Sequence, residues 1–242
     1  FYKEDVEEEN CIYADDREHD VYTYAVCDGV GGAEFGELAS LHAVETLKDY
    51  DGADIQDRME EYVAAANDRI CRDIKDNQGK RMGSTLTLLT IRDGKARLCN
   101  VGDSRIYSMR NGTFTQLSHD HTRLQKLIDS GKIDVKDGRP LKKDHVLTQF
   151  LGVFPHELIL DPYTDEIREL CDGDLFLISS DGLTDMIPDD HLGQLLIEHG
   201  SETPEEIVKA LIDTAVENGG RDNVTAIIVK VSTEETGRIH NV

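Results

Sequence analysis

Basic residues are scarce in this 242-residue chain: 26 lysines and arginines stand against 49 aspartates and glutamates, for a net charge of −23. Nucleic acids and anionic membranes bind basic protein surfaces, so we expect neither to be a partner. Aromatic residues are also few, at 6%, although an apolar share of 38% is enough for a packed core. Most of the acidity is typical of a soluble surface, and a handful of acids remain as candidate ligands for divalent cations.

Cysteines are few and scattered, at positions 11, 27, 71, 99 and 171, with no Cys-x-x-Cys pair. This spacing argues against a zinc–thiolate site, and it predicts free thiols in a reducing compartment, the cytoplasm. Apolar runs are short as well: none approaches the roughly 18 residues of a membrane helix, and no signal peptide is visible. The chain starts with Phe1 instead of methionine, so we expect residues to be missing at its N-terminus.

Acids border several strand-like apolar runs. Strands fix positions well, so carboxylates at their ends can converge on one point. Converging acids repel one another and resist ionising unless a cation lies among them, and the pattern therefore predicts a site for several metal ions. The acids are Asp28 (after 22–27), Asp103 (after 97–102), Asp181 (after 175–180) and Asp222 (before 224–231).

Oxygen ligands of this kind select Mg²⁺, Mn²⁺ or Ca²⁺ over zinc or copper. Two such ions can share a carboxylate, acidify a water between them and shield a phosphate ester from its own charge. Gly29, Gly31 and Gly32 leave room beside Asp28 for close approach. One Asp-Gly pair is usually an ordinary turn, but a second pair at 181–182, after a similar strand, favours the metal site.

Helical and strand-like segments alternate in groups along the chain. Helices are predicted at 34–49, 55–74, 124–130, 190–199 and 204–218. Strands are predicted at 10–14, 21–27, 84–91, 96–101, 105–109, 114–117, 158–160, 175–179 and 224–231. Because the strands come in hairpin-linked runs set apart from the helix pairs, the pattern favours an α+β domain with largely antiparallel sheets.

Five short motifs occur in the order seen in the PP2C (PPM) family of metal-dependent protein phosphatases, and the chain resembles that family from about residue 9 to residue 231. Each motif alone is weak, but five in order over two hundred residues are specific. Leu151-Gly152 also fits. The motifs are DGVGG at 28–32, GST at 83–85, VGDSR at 101–105, SSDGL at 179–183 and DNVT at 222–225.

The resemblance implies a four-layer αββα sandwich, two antiparallel sheets flanked by helix pairs. It places a single domain at 1–232, with a flap subdomain at about 118–150 and a frayed C-terminal tail at 233–242. The implied activity is that of a bacterial-type serine/threonine phosphatase. It hydrolyses phosphorylated protein substrates by attack of a metal-bridging water, without a phosphoenzyme. We expect a monomer.

By motif position, the resemblance also implies a ligand set for Mn²⁺ or Mg²⁺. Asp28 bridges two core ions, and the Gly29 carbonyl binds one of them. Asp181 and Asp222 hold the other. Asp103, with help from Asp185, holds a third and weaker ion, although Asp185 also fits a solvated acid after a turn. Glu9 acts through metal-bound water.

The N-terminal motif departs from the family pattern Arg-x-x-Asn-Glu-Asp. The best register keeps an acid at Glu9 but puts Asn10 in the place of the second acid and Asp5 in the place of the phosphate-binding arginine. The phosphate ligand is therefore unknown, and Lys3, Arg17 or a shifted N-terminal register stay open as its replacement. Val30 stands where some eukaryotic members have a histidine, so we expect a metal-bound water to protonate the leaving group.

Three other features have simpler explanations. The side chains of His119-Asp120-His121 alternate in direction along an extended segment, so a structural or flap role is predicted for them. Arg105 is predicted to form a structural ion pair near the acids. Ser104 and Ser180 lack a partnered His-Asp pattern, which argues against a serine nucleophile.

Two other functions stay open. Asp5 and Asn10 are compatible with a weakly active or inactive domain that binds a partner protein. A phosphatase for small phosphate esters is the third possibility.

Overall fold

The computed structural model describes residues 21–30, 35–50, 55–133, 146–167, 169–233 and 239–241. The strand predicted at 10–14 lies outside these ranges. The strands are β1 Val21–Val26, β2 Leu86–Arg92, β3 Lys95–Val101, β4 Arg105–Arg110, β5 Thr113–Gln116, β6 Tyr163–Ile167, β7 Leu175–Ser179, β8 Ala226–Thr233 and β9 Ile239–Asn241. The helices are α1 Gly36–Leu47, α2 Met59–Asp76, α3 Arg123–Asp129, α4 Asp181–Thr184, α5 Asp189–Glu198 and α6 Pro204–Glu217.

The strands form two antiparallel sheets. One has the order β1-β2-β3-β6 and the other β5-β4-β7-β8-β9. The turns β2–β3 and β4–β5 are tight hairpins, because Asp93-Gly94 and Asn111-Gly112 all take positive φ angles (52°, 70°, 51° and 75°). Two consecutive left-handed residues match the twist of the flanking strands, as the Asp-Gly and Asn-Gly sequences predict.

The central strands are buried on both faces, and their side chains alternate between two cores. In β7, Phe176 and Ile178 pack between the sheets, whereas Leu175 and Leu177 pack against helices. Successive strand residues point to opposite faces, so each sheet needs an apolar partner on both sides. Helices α1 and α2 cover the first sheet, and α4, α5 and α6 cover the second. The predicted four-layer αββα sandwich is confirmed.

Local sequence signals fix the helix ends well. Helix α6 starts with a capping box, in which the Thr203 side chain accepts from the Glu206 N–H and the Glu206 carboxylate accepts from the Thr203 N–H. Pro204 occupies the first turn, where a missing N–H costs nothing. None of the helices in the described ranges is long and apolar enough to cross a membrane.

The structure corrects three local predictions. The strand predicted at 158–160 is absent, and the chain forms β6 slightly later, where Ala96↔Ile167 to Asn100↔Tyr163 pair with β3. Helix α4 is a single turn that no periodicity could reveal. Part of the predicted frayed tail is β9, which pairs with β8 and so covers an otherwise open sheet edge.

The ends of the predicted flap lie side by side. Arg123 N–H donates to Val146 O (2.9 Å), and Thr148 N–H donates to His121 O (2.7 Å). Residues 134–145 lie outside the described ranges, so the flap's extent stays a prediction.

A buried asparagine holds the segment that follows the flap. Asn67 on α2 accepts from the Gly152 N–H (2.8 Å) and the Val153 N–H (3.2 Å), and it donates to Val153 O (3.0 Å). Leu151 next to them pairs with Ser84 through two backbone hydrogen bonds (3.1 and 2.8 Å). Asn67 therefore links α2 to the segment 151–153, which pairs with Ser84 just before β2, beside Asp28.

We predict that Asn67→Ala lowers the free energy of unfolding by about 2 to 3 kcal/mol, because buried N–H groups lose their acceptor. Chemical denaturation measures this. The control is Asn77→Ala at the exposed end of α2, which we expect to change stability by less than about 0.5 kcal/mol. Equal stability of the two variants would contradict the anchoring role.

Candidate metal centre

Four of the predicted acids lie where strands begin or end. Asp28 lies just past β1, Asp181 opens α4 just past β7, Asp103 lies in the β3–β4 turn, and Asp222 precedes β8. Strands β1 and β7 contact each other across the sandwich, one from each sheet. The fold therefore brings acids from separate parts of the chain to one end of the sandwich.

Asp28 and Asp181 lie within hydrogen-bonding reach of each other. Burial raises the pKa of Asp28, and the negative charges of Asp181 and Asp222 raise it further. Burial also raises the pKa of Asp181, to which the charges of Asp185 and Asp222 contribute. Two carboxyl groups in this arrangement need either a shared proton or a cation between them.

Asp103 belongs to the same electrostatic cluster. Burial raises the pKa of its carboxyl group to about 7, and the charges of Asp181 and Asp120 add to the effect. The structure thus brings together five of the predicted site residues: Asp28, Asp103, Asp181, Asp185 and Asp222. Glu9 and Asp5 lie outside the described residues.

The donor set fits hard cations that are bound partly through carbonyl groups and water. Within the described residues, no three His, Cys, Asp or Glu side chains converge closely enough to hold one ion by themselves. The acids all offer oxygen, which suits Mg²⁺ or Mn²⁺, ions that keep several water ligands. A groove of about 580 Å³ lies elsewhere, between the start of α2 and strands β3 and β6, and none of these acids lines it.

Close backbone packing holds the acid loops in place. A Cβ on Gly182 would lie 2.1 Å from Asn223 O, so only glycine lets the Asp181 turn rest on the Asp222 loop. Ser180 N–H donates to Thr225 O (3.0 Å), and Thr225 N–H donates to the Ser180 hydroxyl (3.1 Å). Ser180 is therefore a structural link between two acids, which agrees with its exclusion as a nucleophile.

Gly29 has a similar packing role. A Cβ there would lie 2.4 Å from the Gly36 carbonyl carbon, at the start of α1. The first turn of α1 can therefore lie directly against the Asp28 loop.

The segment His119-Asp120-His121 has the predicted structural role. His119 Nε2 lies 3.0 Å from Asp129 on α3, and His121 Nδ1 accepts from the Gly102 N–H (3.2 Å). Asp120 is buried and receives three hydrogen bonds from Arg105, at 2.6 to 3.0 Å. The three side chains therefore have separate partners, and Arg105 forms the predicted ion pair.

Sequence reasoning missed two hydroxyl groups that hold Asp28. Asp28 N–H donates to Thr85 Oγ1 (3.0 Å), and the Ser84 hydroxyl donates to Asp28 O (3.1 Å). Their GST motif at 83–85 was a family signal, but a serine and a threonine just before a strand carry no sign of what they contact.

A family model described as "Protein phosphatase 2C" matches residues 3–126, which is over half of the chain. The chain belongs to the protein phosphatase 2C family. A second model, "Stage II sporulation protein E (SpoIIE)", matches residues 133–232. The predicted family is thus confirmed.

Two bacterial phosphatases are similar to this chain over most of its length. The serine/threonine protein phosphatase PstP of Mycobacterium tuberculosis is 32% identical over 239 residues, covering 95% of this chain and 43% of PstP. The chain thus spans less than half of that relative's length. The serine/threonine phosphatase stp of Listeria innocua is 28% identical, covering 88% of this chain and 86% of stp.

Solved structures in the family include one with metal. The catalytic domain of PstP in complex with two manganese ions is similar to this chain with a TM-score of 0.72 and 29% identity, covering 92% of this chain and 94% of that domain.

We predict that Asp181→Asn stabilises the metal-free protein. The folded-state pKa values of Asp28 and Asp181 lie above their unfolded values, so the metal-free fold loses stability as pH rises from about 4 through the raised pKa values. Removing one charge at pH 8 should raise Tm by roughly 3 °C for each kcal/mol gained.

Thermal melting in EDTA between pH 5 and pH 8 tests this prediction. Asp68→Asn, on the exposed side of α2, is the control for a general loss of negative charge. The acids do not repel one another in the folded state if the two variants have the same Tm at pH 8.

Proposed function

We propose that this chain is a metal-dependent protein serine/threonine phosphatase, which hydrolyses phosphoserine and phosphothreonine with water as the nucleophile. The half-buried acid pair Asp28–Asp181, in a member of the protein phosphatase 2C family, carries the proposal. When bound, two divalent ions would acidify a shared water and shield the charge of the phosphate ester.

The side chains have distinct roles in this proposal. Asp28, which follows β1 of the first sheet, would serve both core ions, and the Gly29 carbonyl would bind one of them. Asp181 and Asp222, next to strands of the second sheet, would hold the other. Asp103 and Asp185 would hold a third, weaker ion, and Glu9 would contribute through water.

Two features of the site support this assignment. Asp28 and Asp181 follow strands of different sheets, and the backbone beside each acid is held by its own hydrogen bonds. The two acids therefore keep their positions relative to each other. Position 30 is valine, which cannot transfer a proton, and a water bound at the site would protonate the leaving alkoxide instead. The phosphate ligand that replaces the usual arginine stays unassigned.

We also propose Mn²⁺ or Mg²⁺ as the cofactor, phosphorylated proteins as substrates and the cytoplasm as the location. The manganese-bound structure of a relative supports the first of these. The free thiols of Cys27, Cys71, Cys99 and Cys171 are compatible with a reducing compartment. The monomeric state stays a prediction.

Phosphate release from a phosphothreonine peptide, with Mn²⁺ and with EDTA, tests the proposal. We predict Mn²⁺-dependent turnover that Asp181→Asn reduces more than about 100-fold, because the variant loses a charge that pairs with the ions. Asp68→Asn is the matched control and should turn over like the wild type.

The alternative of an inactive, partner-binding domain predicts the opposite result. It gives no phosphate release from any phosphopeptide, whether or not calorimetry detects Mn²⁺ binding. A sugar phosphate in the same assay separates a protein phosphatase from an enzyme for small esters, which would prefer the sugar phosphate.

The net charge of −23 generates a prediction about substrates. We predict a several-fold higher kcat/KM for a phosphopeptide with flanking arginines than for one with flanking glutamates at low salt, because the protein's field attracts cations. The preference should shrink as salt shortens the Debye length from about 30 Å at 0.01 M to about 8 Å at 0.15 M. Equal rates at low salt would contradict it.

A further inference from the structure

We propose that the buried hydroxyl pair Thr85–Ser104 positions the metal-binding acids and couples the Asp28 loop to the Asp103 loop. Both are positioning residues, since they act on the ions through the acids. The inference rests on the proposed function, because it concerns the same site.

Thr85 holds the backbone of Asp28 from two sides. Its hydroxyl oxygen accepts from the Asp28 N–H (3.0 Å), and its own N–H donates to Asp28 O (2.8 Å). The peptide groups on either side of the Asp28 Cα are therefore fixed by one residue of the GST motif. The direction in which the Asp28 side chain leaves the backbone follows from this.

The same hydroxyl reaches the neighbouring acid loop. Thr85 Oγ1 lies 2.8 Å from Ser104 Oγ, and Ser104 directly follows Asp103. Since Thr85 Oγ1 already accepts the Asp28 N–H, its own proton can point to Ser104 Oγ. The hydrogen bonds then run from the Asp28 N–H to the Thr85 hydroxyl, and from the Thr85 hydroxyl to the Ser104 hydroxyl.

Further hydrogen bonds hold the two residues on either side of Asp103, Gly102 and Ser104. Thr87 Oγ1 donates to Ser104 O (3.0 Å), and Asn100 Nδ2 donates to Gly102 O (3.1 Å). Gly102 has a φ of +112°, and a Cβ there would lie 2.7 Å from Thr85 Cγ2. A shift of Thr85 therefore acts on both neighbours of Asp103.

Burial makes the hydroxyl pair sensitive to substitution. Thr85 is 3% exposed and Ser104 is fully buried, so bulk water cannot easily replace either partner. Without the Thr85 hydroxyl, the Asp28 N–H loses a buried acceptor. Partners one layer outside metal ligands typically change metal affinity by 10- to 100-fold.

The experiment is Mn²⁺ titration calorimetry on the metal-free protein, together with thermal melting in EDTA. We expect Thr85→Val to weaken Mn²⁺ binding about tenfold or more, and Ser104→Ala to weaken it as well. Thr85→Ser keeps the hydroxyl and loses only a methyl group, so its Mn²⁺ affinity should stay within about twofold of wild type. The double variant Thr85→Val/Ser104→Ala should weaken Mn²⁺ binding by less than the two single losses in binding free energy added together, since the two hydroxyl groups act as a pair.

Thr90→Val is the matched control. Thr90 lies on β2, the strand that begins directly after Thr85; it is fully buried, and its hydroxyl makes a long contact of 3.5 Å to Arg97 O, away from the acids. We expect this variant to change Tm without changing Mn²⁺ affinity.

The inference is overturned if Thr85→Val lowers Tm but binds Mn²⁺ as tightly as Thr90→Val does. Should Thr85→Val fail to fold, Ser104→Ala decides the question by the same comparison. A wild type that binds no Mn²⁺ overturns the proposed function itself, and the metal titration of the wild type shows this before any variant is made.

Discussion

The mutual repulsion of buried carboxylates is the constraint on which the rest of the structure depends. Asp28, Asp103 and Asp181 all have raised pKa values, with burial as the largest cause in each case and with the negative charges of neighbouring acids adding to it. Such a cluster opposes the folded state unless protons or cations compensate it. The fold tolerates the cluster because the surrounding layers are held independently of it, and divalent ions would convert the same repulsion into affinity.

The two stacked sheets supply the independent support. Their shared core, which includes Leu89, Phe176 and Ile178, holds β1 and β7 face to face. Local contacts then keep each acid loop in place. Hydrogen bonds from Thr85 hold the Asp28 loop, and the close contact between Gly182 and Asn223 holds the Asp181 and Asp222 loops. Stability therefore resides in apolar layers and hydrogen-bonded loops, while the acids are left free for chemistry.

Not every acid near the site serves it. Asp120 is more deeply buried than the candidate ligands, yet Arg105 neutralises it with three hydrogen bonds. Asp120 differs from Asp28 and Asp181 in having a positively charged partner, Arg105. Among the residues that the structure describes, Asp28 and Asp181 face each other without a positively charged partner, which is what distinguishes these candidate metal ligands from the structural acid Asp120.

The sequence by itself determined the four-layer class, the hairpin turns at 93–94 and 111–112, the start of α6 and the identity of the acids, because each follows from local pattern, turn chemistry or ordered motifs. It missed β6, α4 and β9. The β6 sequence YTDEI is too polar to signal a strand, and its pairing with β3 defines it. Helix α4 is a single turn and β9 has three residues, too few for any periodicity. Only the tertiary structure decided which acids meet, that His119 and His121 turn to different partners, and that Thr85 and Ser104 join two acid loops. Those facts depend on contacts between residues far apart in the chain, and no local propensity encodes them.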